Sequence, residues 1–266
     1  MKRTRQIFSV LLTLAMLLTL VPAMGVTASA AEPEWETVNT YEELQTAVKA
    51  KKEYIKLGRD IDTKDLHYSG NGLELNDWLT FAKQTCTLDL NGKTLTLMTK
   101  LPSMRVFLRV YDRGNLTIKD SSSAKTGKIT GAFENYTASE AGCCLFHVQG
   151  SSLTLENGSI TVTSEPDAAN ADTIRVMDSN ITIKEGVTIR HPGKFFPENA
   201  YKDLDGNSYA LLTEGKSKVI IDGGVFDGHV KLSGYQDTNG SVQINKGTFK
   251  KDVQVLYTAE ENNSNP

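Results

Sequence analysis

The chain has 266 residues, of which 39% are apolar and 23% charged, so it can bury a core and is too apolar to be disordered throughout. Twenty-one glycines against seven prolines exclude a collagen-like or proline-rich polymer, and three cysteines are too few to frame a disulfide-held mini-protein. A net charge of −3 gives no bulk attraction for nucleic acid, which is not expected as a partner.

The first thirty residues differ from the rest. Lys2, Arg3 and Arg5 precede an apolar run from Ile7 to Val21, and Ala28-Ser29-Ala30 places small residues before Ala31. That three-part pattern predicts a signal peptide over residues 1–30 and a soluble, secreted mature protein. The apolar run is shorter than the roughly 20 residues of a membrane span, so no span is expected. Removing residues 1–30 takes away three basic side chains and no acidic one, moving the charge from −3 to −6.

Residues 31–52 read as an N-terminal cap. Thr40 followed by Glu43 is a capping-box pattern, and Tyr41, Leu44 and Val48 then fall on one face of a short amphipathic helix. Such a helix can cover the open end of a stacked-strand structure.

From residue 53 to 257 one phrase recurs, apolar-x-apolar-x-x-Gly-x-apolar. Clean copies are Leu153 to Ile160, Val219 to Phe226 and Val242 to Phe249; looser ones start at Leu88, Leu116 and Ile181. Period-2 spacing predicts strands, and the glycine between them supplies a corner. A third strand precedes each pair, with anchors at Leu57, Phe81, Val110, Val148, Val176, Leu212 and Leu232, separated by 24, 29, 38, 28, 36 and 20 residues. Strands that repeat while loops vary predict an all-β fold, a right-handed parallel β-helix of six to seven coils. A β-sandwich accommodates turn-separated strands but gives no reason for the recurring glycine. Val253 to Tyr257 adds a last strand, no helix follows to cover that end, and self-association there is expected. Residues 258–266 read as a polar tail.

The order Thr40 to Val48, Ile55 to Ile61, Leu88-Asp-Leu-Asn-Gly-Lys-Thr-Leu95 and Leu116 to Gly131 resembles secreted bacterial proteins of the pectin-lyase-like superfamily, over about residues 35 to 257. The resemblance implies the β-helix fold. It leaves activity open, since that superfamily holds lyases, polygalacturonases, adhesins and repeat proteins without chemistry. The Asn-Thr-Asp, Asp-Asp, Gly-His-Gly and Arg-Ile-Lys motifs of polygalacturonase-like enzymes do not occur in the sequence. Arg175 near Asp172 and Asp178 is the nearest approach to the acid and arginine set of pectate lyases, and a charged pair on a strand face is also an ordinary solvated surface.

The residue before each third-strand anchor points outward by alternation. Those residues are Lys56, Thr80, Arg109, His147, Arg175, Leu211 and Lys231, with Phe107 and Tyr111 beside Arg109. A mostly basic column on an acidic protein is read either as a solvated face with acids alongside or as a groove for an acidic polymer. Phe195, Phe196 and Tyr201, in the insertion from His191 to Tyr209, form either a platform for sugar rings or a cover for the wall. Asp203-Leu-Asp205-Gly206-Asn207 begins like a calcium loop but lacks the later ligands and is read as a hairpin turn; no cofactor or metal is expected. Cys86, Cys143 and Cys144 allow at most one bridge, and Cys144 is read as an apolar filler.

The reading is therefore a secreted, non-catalytic, adhesin-like β-helix that binds polysaccharide or a cell-surface glycan. The alternative is a polysaccharide lyase or glycoside hydrolase acting on uronate polymers.

Overall fold

Seven successive coils, each of three short strands, wind around a common interior. The computed structural model describes residues 32–63, 79–99, 106–133, 143–163, 171–192, 208–235 and 242–258. Within each coil the chain visits wall A, wall B and wall C in turn. The first coil is Tyr54–Leu57, Ile61–Asp62 and Leu79–Ala82; the second is Thr85–Asp89, Thr94–Thr99 and Val106–Tyr111. The third is Asn115–Lys119, Lys128–Phe133 and Cys143–Gln149, and the fourth is Ser152–Leu155, Gly158–Val162 and Ala171–Met177. The fifth is Asn180–Ile183, Val187–Arg190 and Tyr209–Glu214; the sixth is Lys218–Ile221, Val225–Asp227 and His229–Tyr235. The seventh is Val242–Ile244, Thr248–Phe249 and Val253–Thr258. Every strand pairs in parallel with its counterpart one coil away, which makes a right-handed parallel β-helix.

Register turns the sequence repeat into stacked columns. Ile55, Leu88, Ile118, Leu155, Ile183 and Ile221 line up inside wall A. Ile61, Leu95, Ile129, Ile160, Ile189 and Phe226 do so inside wall B. All of these side chains are buried, and each contributes roughly 1.5–3 kcal/mol by leaving water. Phe81, Val110, Val148 and Val176 continue into Thr213 and then Leu232 in wall C. Thr213 fits there because its hydroxyl donates to Ser233 O at 3.0 Å and accepts from Ser233 N at 2.9 Å.

Two details correct the sequence reading. Leu57 is not a third-wall anchor: its strand lies in wall A, with Ile55 in register with Leu88, so Lys56 leaves the basic column. Leu212 rather than Leu211 aligns with Arg175, and a bulge between Tyr209 and Leu211 in the pairing with the next coil sets Leu212 against Lys231 as well.

Polar ladders hold the corners. Ser151 N donates to Ser179 Oγ at 3.1 Å and Ser179 N to Ser217 Oγ at 3.4 Å, so the turn from wall C to wall A is bonded coil to coil. At the turn from A to B, buried Asp120 accepts from the amides of Gly92 at 2.7 Å, Ser122 at 3.0 Å and Gly127 at 2.6 Å. Gly127 permits this, because a Cβ there would stand 2.7 Å from Asp120 Cγ. Gly158, with φ of +98°, turns the next coil at the same corner.

The two ends differ. Helix Tyr41–Lys49 is capped by Thr40, whose hydroxyl accepts from Glu43 N at 3.1 Å, while Glu43 Oε2 accepts from Asn39 N at 2.6 Å. It buries Tyr41, Leu44, Ala47 and Val48 and packs against Leu79–Ala82 and Glu36–Val38. Glu36–Val38, which the sequence reading included in the cap, is itself a strand that pairs with Tyr54–Leu57 and extends wall A. At the other end the columns reach Ile244 and Val255, exposed at 41% and 37%, with Leu256 exposed beside them. Phe249 stacks on Phe226 at 4.7 Å.

Candidate functional site

Outward residues of wall C form the column Thr80, Arg109, His147, Arg175, Leu212, Lys231 and Gln254 in register. Arg109, His147 and Arg175 therefore occupy consecutive coils, although 38 and 28 residues separate them in sequence. With strands roughly 4.8 Å apart, the two arginines stand about 9.6 Å apart along the wall. Leu212, buried at 5% exposure, separates Lys231 from that trio. Lys231 Nζ lies 5.8 Å from the ring of Tyr209.

A second column two residues further along each strand, Tyr111, Gln149, Met177 and Glu214, flanks the first. The Arg109 guanidinium lies 4.8 Å from the Tyr111 ring, and its Nη2 donates to Gln149 Oε1 at 3.4 Å. Its Nε is buried with no hydrogen-bond partner. Arg175 instead makes ion pairs, its Nε lying 3.1 Å from Asp172 Oδ2 and 3.7 Å from Glu214 Oε2. Asp172 is fully buried and accepts from Tyr209 N at 3.0 Å. Burial pushes its carboxyl up to about 7, against the pull of Arg175 and the Tyr209 amide. Burial, with Arg109 and Arg175 on either side, pushes His147 down to about 4, so the imidazole is neutral at neutral pH.

Of the nine residues expected at a site, the structure brings Arg109, His147, Arg175 and Tyr111 together and leaves Lys231 two coils from Arg175, beyond Leu212. Phe107 is 2% exposed and packs into the core cluster, so it supports the wall from within instead of facing a ligand. Phe195, Phe196, Tyr201 and the turn at Asp203 to Asn207 lie outside the described residues. Asp172 meets Arg175 as its spacing suggested, whereas Asp178 Oδ1 accepts from Lys216 N at 2.8 Å, away from the pair. Gln149 and Glu214 were missed; Gln149 lies two residues beyond His147, an offset visible in the sequence, whereas Glu214 lies two beyond Leu212, which the sequence did not place in the column.

Wall A carries a charged column whose members pair with one another. Lys56, Asp89 and Lys119 are in register, and Glu156, Lys184, Asp222 and Asn245 follow at the same place in later coils. Charge alternates along it. Lys56 lies 3.8 Å from Asp89, Lys184 2.8 Å from Glu156, and Asn245 donates to Asp222 at 2.6 Å. Wall C breaks that alternation over three coils.

Cys86 and Cys144 are both buried and outside any disulfide, and burial pushes the Cys86 thiol up to about 12. The Cys86 thiol is therefore not an activated nucleophile. Among the described residues no group of three His, Cys, Asp or Glu side chains is placed to hold a metal ion, and no helix is long and apolar enough to cross a membrane.

No protein-family model matches this chain, and no curated protein or solved structure matches it either.

Proposed function

We propose that this chain is a secreted, non-catalytic β-helix protein that binds acidic polysaccharide at an extracellular surface, in the manner of an adhesin. Export is supported by the signal-peptide pattern over residues 1–30, and a bacterial source by the resemblance to pectin-lyase-like proteins. One observation carries the binding role: Arg109, His147 and Arg175 stack in register with no acid interleaved in their column, while the wall A column alternates charge from Lys56 to Asp222. Arg109 and Arg175 stand two strand spacings apart with the uncharged His147 between them, and an anionic polymer laid along the wall meets the Arg109 guanidinium, which lies against the uncharged Tyr111 and Gln149. Tyr111 beside Arg109 offers a ring edge to a sugar.

Affinity electrophoresis tests this reading. The protein is retarded in a gel containing polygalacturonate, migrates freely in one containing neutral pullulan, and loses the retardation as salt rises. Equal migration in both gels overturns it.

The alternative, a uronate lyase, is favoured by His147 alone. A neutral imidazole between two guanidiniums is suited to take a proton next to a carboxylate that the arginines hold. Ultraviolet absorbance from an unsaturated uronate product distinguishes the two readings. Pairing of two copies through the seventh coil is part of the proposal as well, supported by exposed Ile244, Val255 and Leu256 at the end opposite the capping helix.

A further inference from the structure

The two arginines of the ladder differ in what already holds them. Arg109 touches the Tyr111 ring and the Gln149 amide oxygen, both uncharged, and its Nε has no hydrogen-bond partner. Arg175 faces two carboxylates, Asp172 at 3.1 Å and Glu214 at 3.7 Å. Cys144 is in register with Asp172 from the preceding strand; His147 adjoins Arg175, with Arg109 one coil beyond. From the following strand come Tyr209 and Glu214, and Lys231 lies beyond Leu212. Asp172 is the buried member of the pair and Glu214 the partly exposed one.

We propose that Arg175 is a second anion-binding position masked by Asp172 and Glu214, which compete with a polyanionic ligand for its guanidinium. The wall then holds such a polymer at one point, Arg109, while Asp172 is charged, and at two points, Arg109 and Arg175, once Asp172 is neutral. This rests on the reading of wall C as a polysaccharide-binding face. Two positions about 9.6 Å apart suit a polymer with regularly spaced anionic groups, and engaging both at once multiplies affinity without a new contact surface.

Protonation supplies the unmasking. Burial holds the Asp172 carboxyl near 7, so it loses its charge as pH falls through neutrality, and Arg175 is left with Glu214 alone. His147, held near 4 by burial and the two arginines, stays uncharged through most of that range. The gain in affinity therefore belongs to Asp172 and precedes any charging of the imidazole.

Dextran sulfate is the probe for the test, because its charge does not change between pH 8 and pH 5.5. Wild-type affinity, measured by titration calorimetry at fixed ionic strength, rises about tenfold from pH 8 to pH 5.5. Asp172→Asn keeps an acceptor for the Tyr209 amide and binds at pH 8 as tightly as the wild type does at pH 5.5, with most of the pH dependence gone. Glu214→Gln changes a partly exposed side chain, leaves the buried pair in place and raises affinity at pH 8 about threefold. It carries the test if circular dichroism shows that Asp172→Asn does not fold. Wild-type affinity at pH 8 in both folded variants overturns the masking and leaves polysaccharide binding standing. Absence of binding by the wild type and both variants at either pH overturns the binding reading as well.

Discussion

His147 pairs in register with Arg109 on the outer side of wall C, and that juxtaposition is created entirely by the fold. Between the two residues the chain completes a full coil through walls A and B. Three basic or potentially basic side chains thus meet because parallel strands stack at constant spacing whatever the length of the loops between them.

His191 makes the fold acid-sensitive. It is 1% exposed, and burial, with Lys251 and His229 nearby, pushes it down to about 4 from an ordinary value near 6.5. The unfolded chain takes up a proton below 6.5 and the fold does not, so stability is full above 6.5 and falls as pH drops towards 4, by up to roughly 3 kcal/mol from this residue. Asp172 acts in the opposite direction, since its raised carboxyl favours the fold at lower pH. Urea unfolding of the wild type and His191→Gln isolates the histidine: the difference between them shifts in favour of the variant from pH 7.5 to pH 5.

Asp120 carries the corner between walls A and B. Asp120→Ala leaves the amides of Gly92, Ser122 and Gly127 without their acceptor, and a loss of about 3 kcal/mol is expected in urea unfolding. Asp60→Ala, which removes one exposed acceptor from Thr94 N, costs less than 1 kcal/mol in the same measurement.

Leu256→Glu tests the seventh coil. On the proposed pairing through these exposed side chains, sedimentation of the wild type is expected to show a dimer that dissociates on dilution, and the variant a monomer with unchanged circular dichroism. A wild-type protein that is monomeric at every concentration contradicts pairing through this end.

Much of the architecture was legible because the coil repeats a simple pattern. Leu153-Thr-Leu155 and Val219-Ile-Ile221 announce inward positions by period 2, and Gly158 and Gly224 announce the corners. Assigning strands to walls was harder. Tyr54-Ile-Lys-Leu57 has the same alternation as a wall C strand, and only hydrogen bonding to Thr85–Asp89 assigns it to wall A. Continuous apolar stretches hid orientation: Ala210-Leu211-Leu212 does not say which residue faces out, and the strand pairing decides it. Phe107 lies within such a stretch, Val106-Phe107-Leu108, and is buried with its neighbours. Arg109, His147 and Arg175 were legible as a column because alternation and coil spacing suffice for that. Glu214 was not, since its approach to Arg175 depends on the register of the fifth coil. The serine ladder of Ser151, Ser179 and Ser217 precedes the wall A strands of the fourth, fifth and sixth coils and is visible only once the coils are aligned.

Calorimetric titration with polygalacturonate at neutral pH and low salt, comparing two double variants of equal charge change, tests the central claim most directly. Arg109→Ala with Arg175→Ala strips wall C, and Lys56→Ala with Lys184→Ala strips wall A. The account predicts at least a tenfold loss of affinity for the wall C variant and less than a twofold loss for the wall A variant. Equal losses, or no loss from wall C, contradict it.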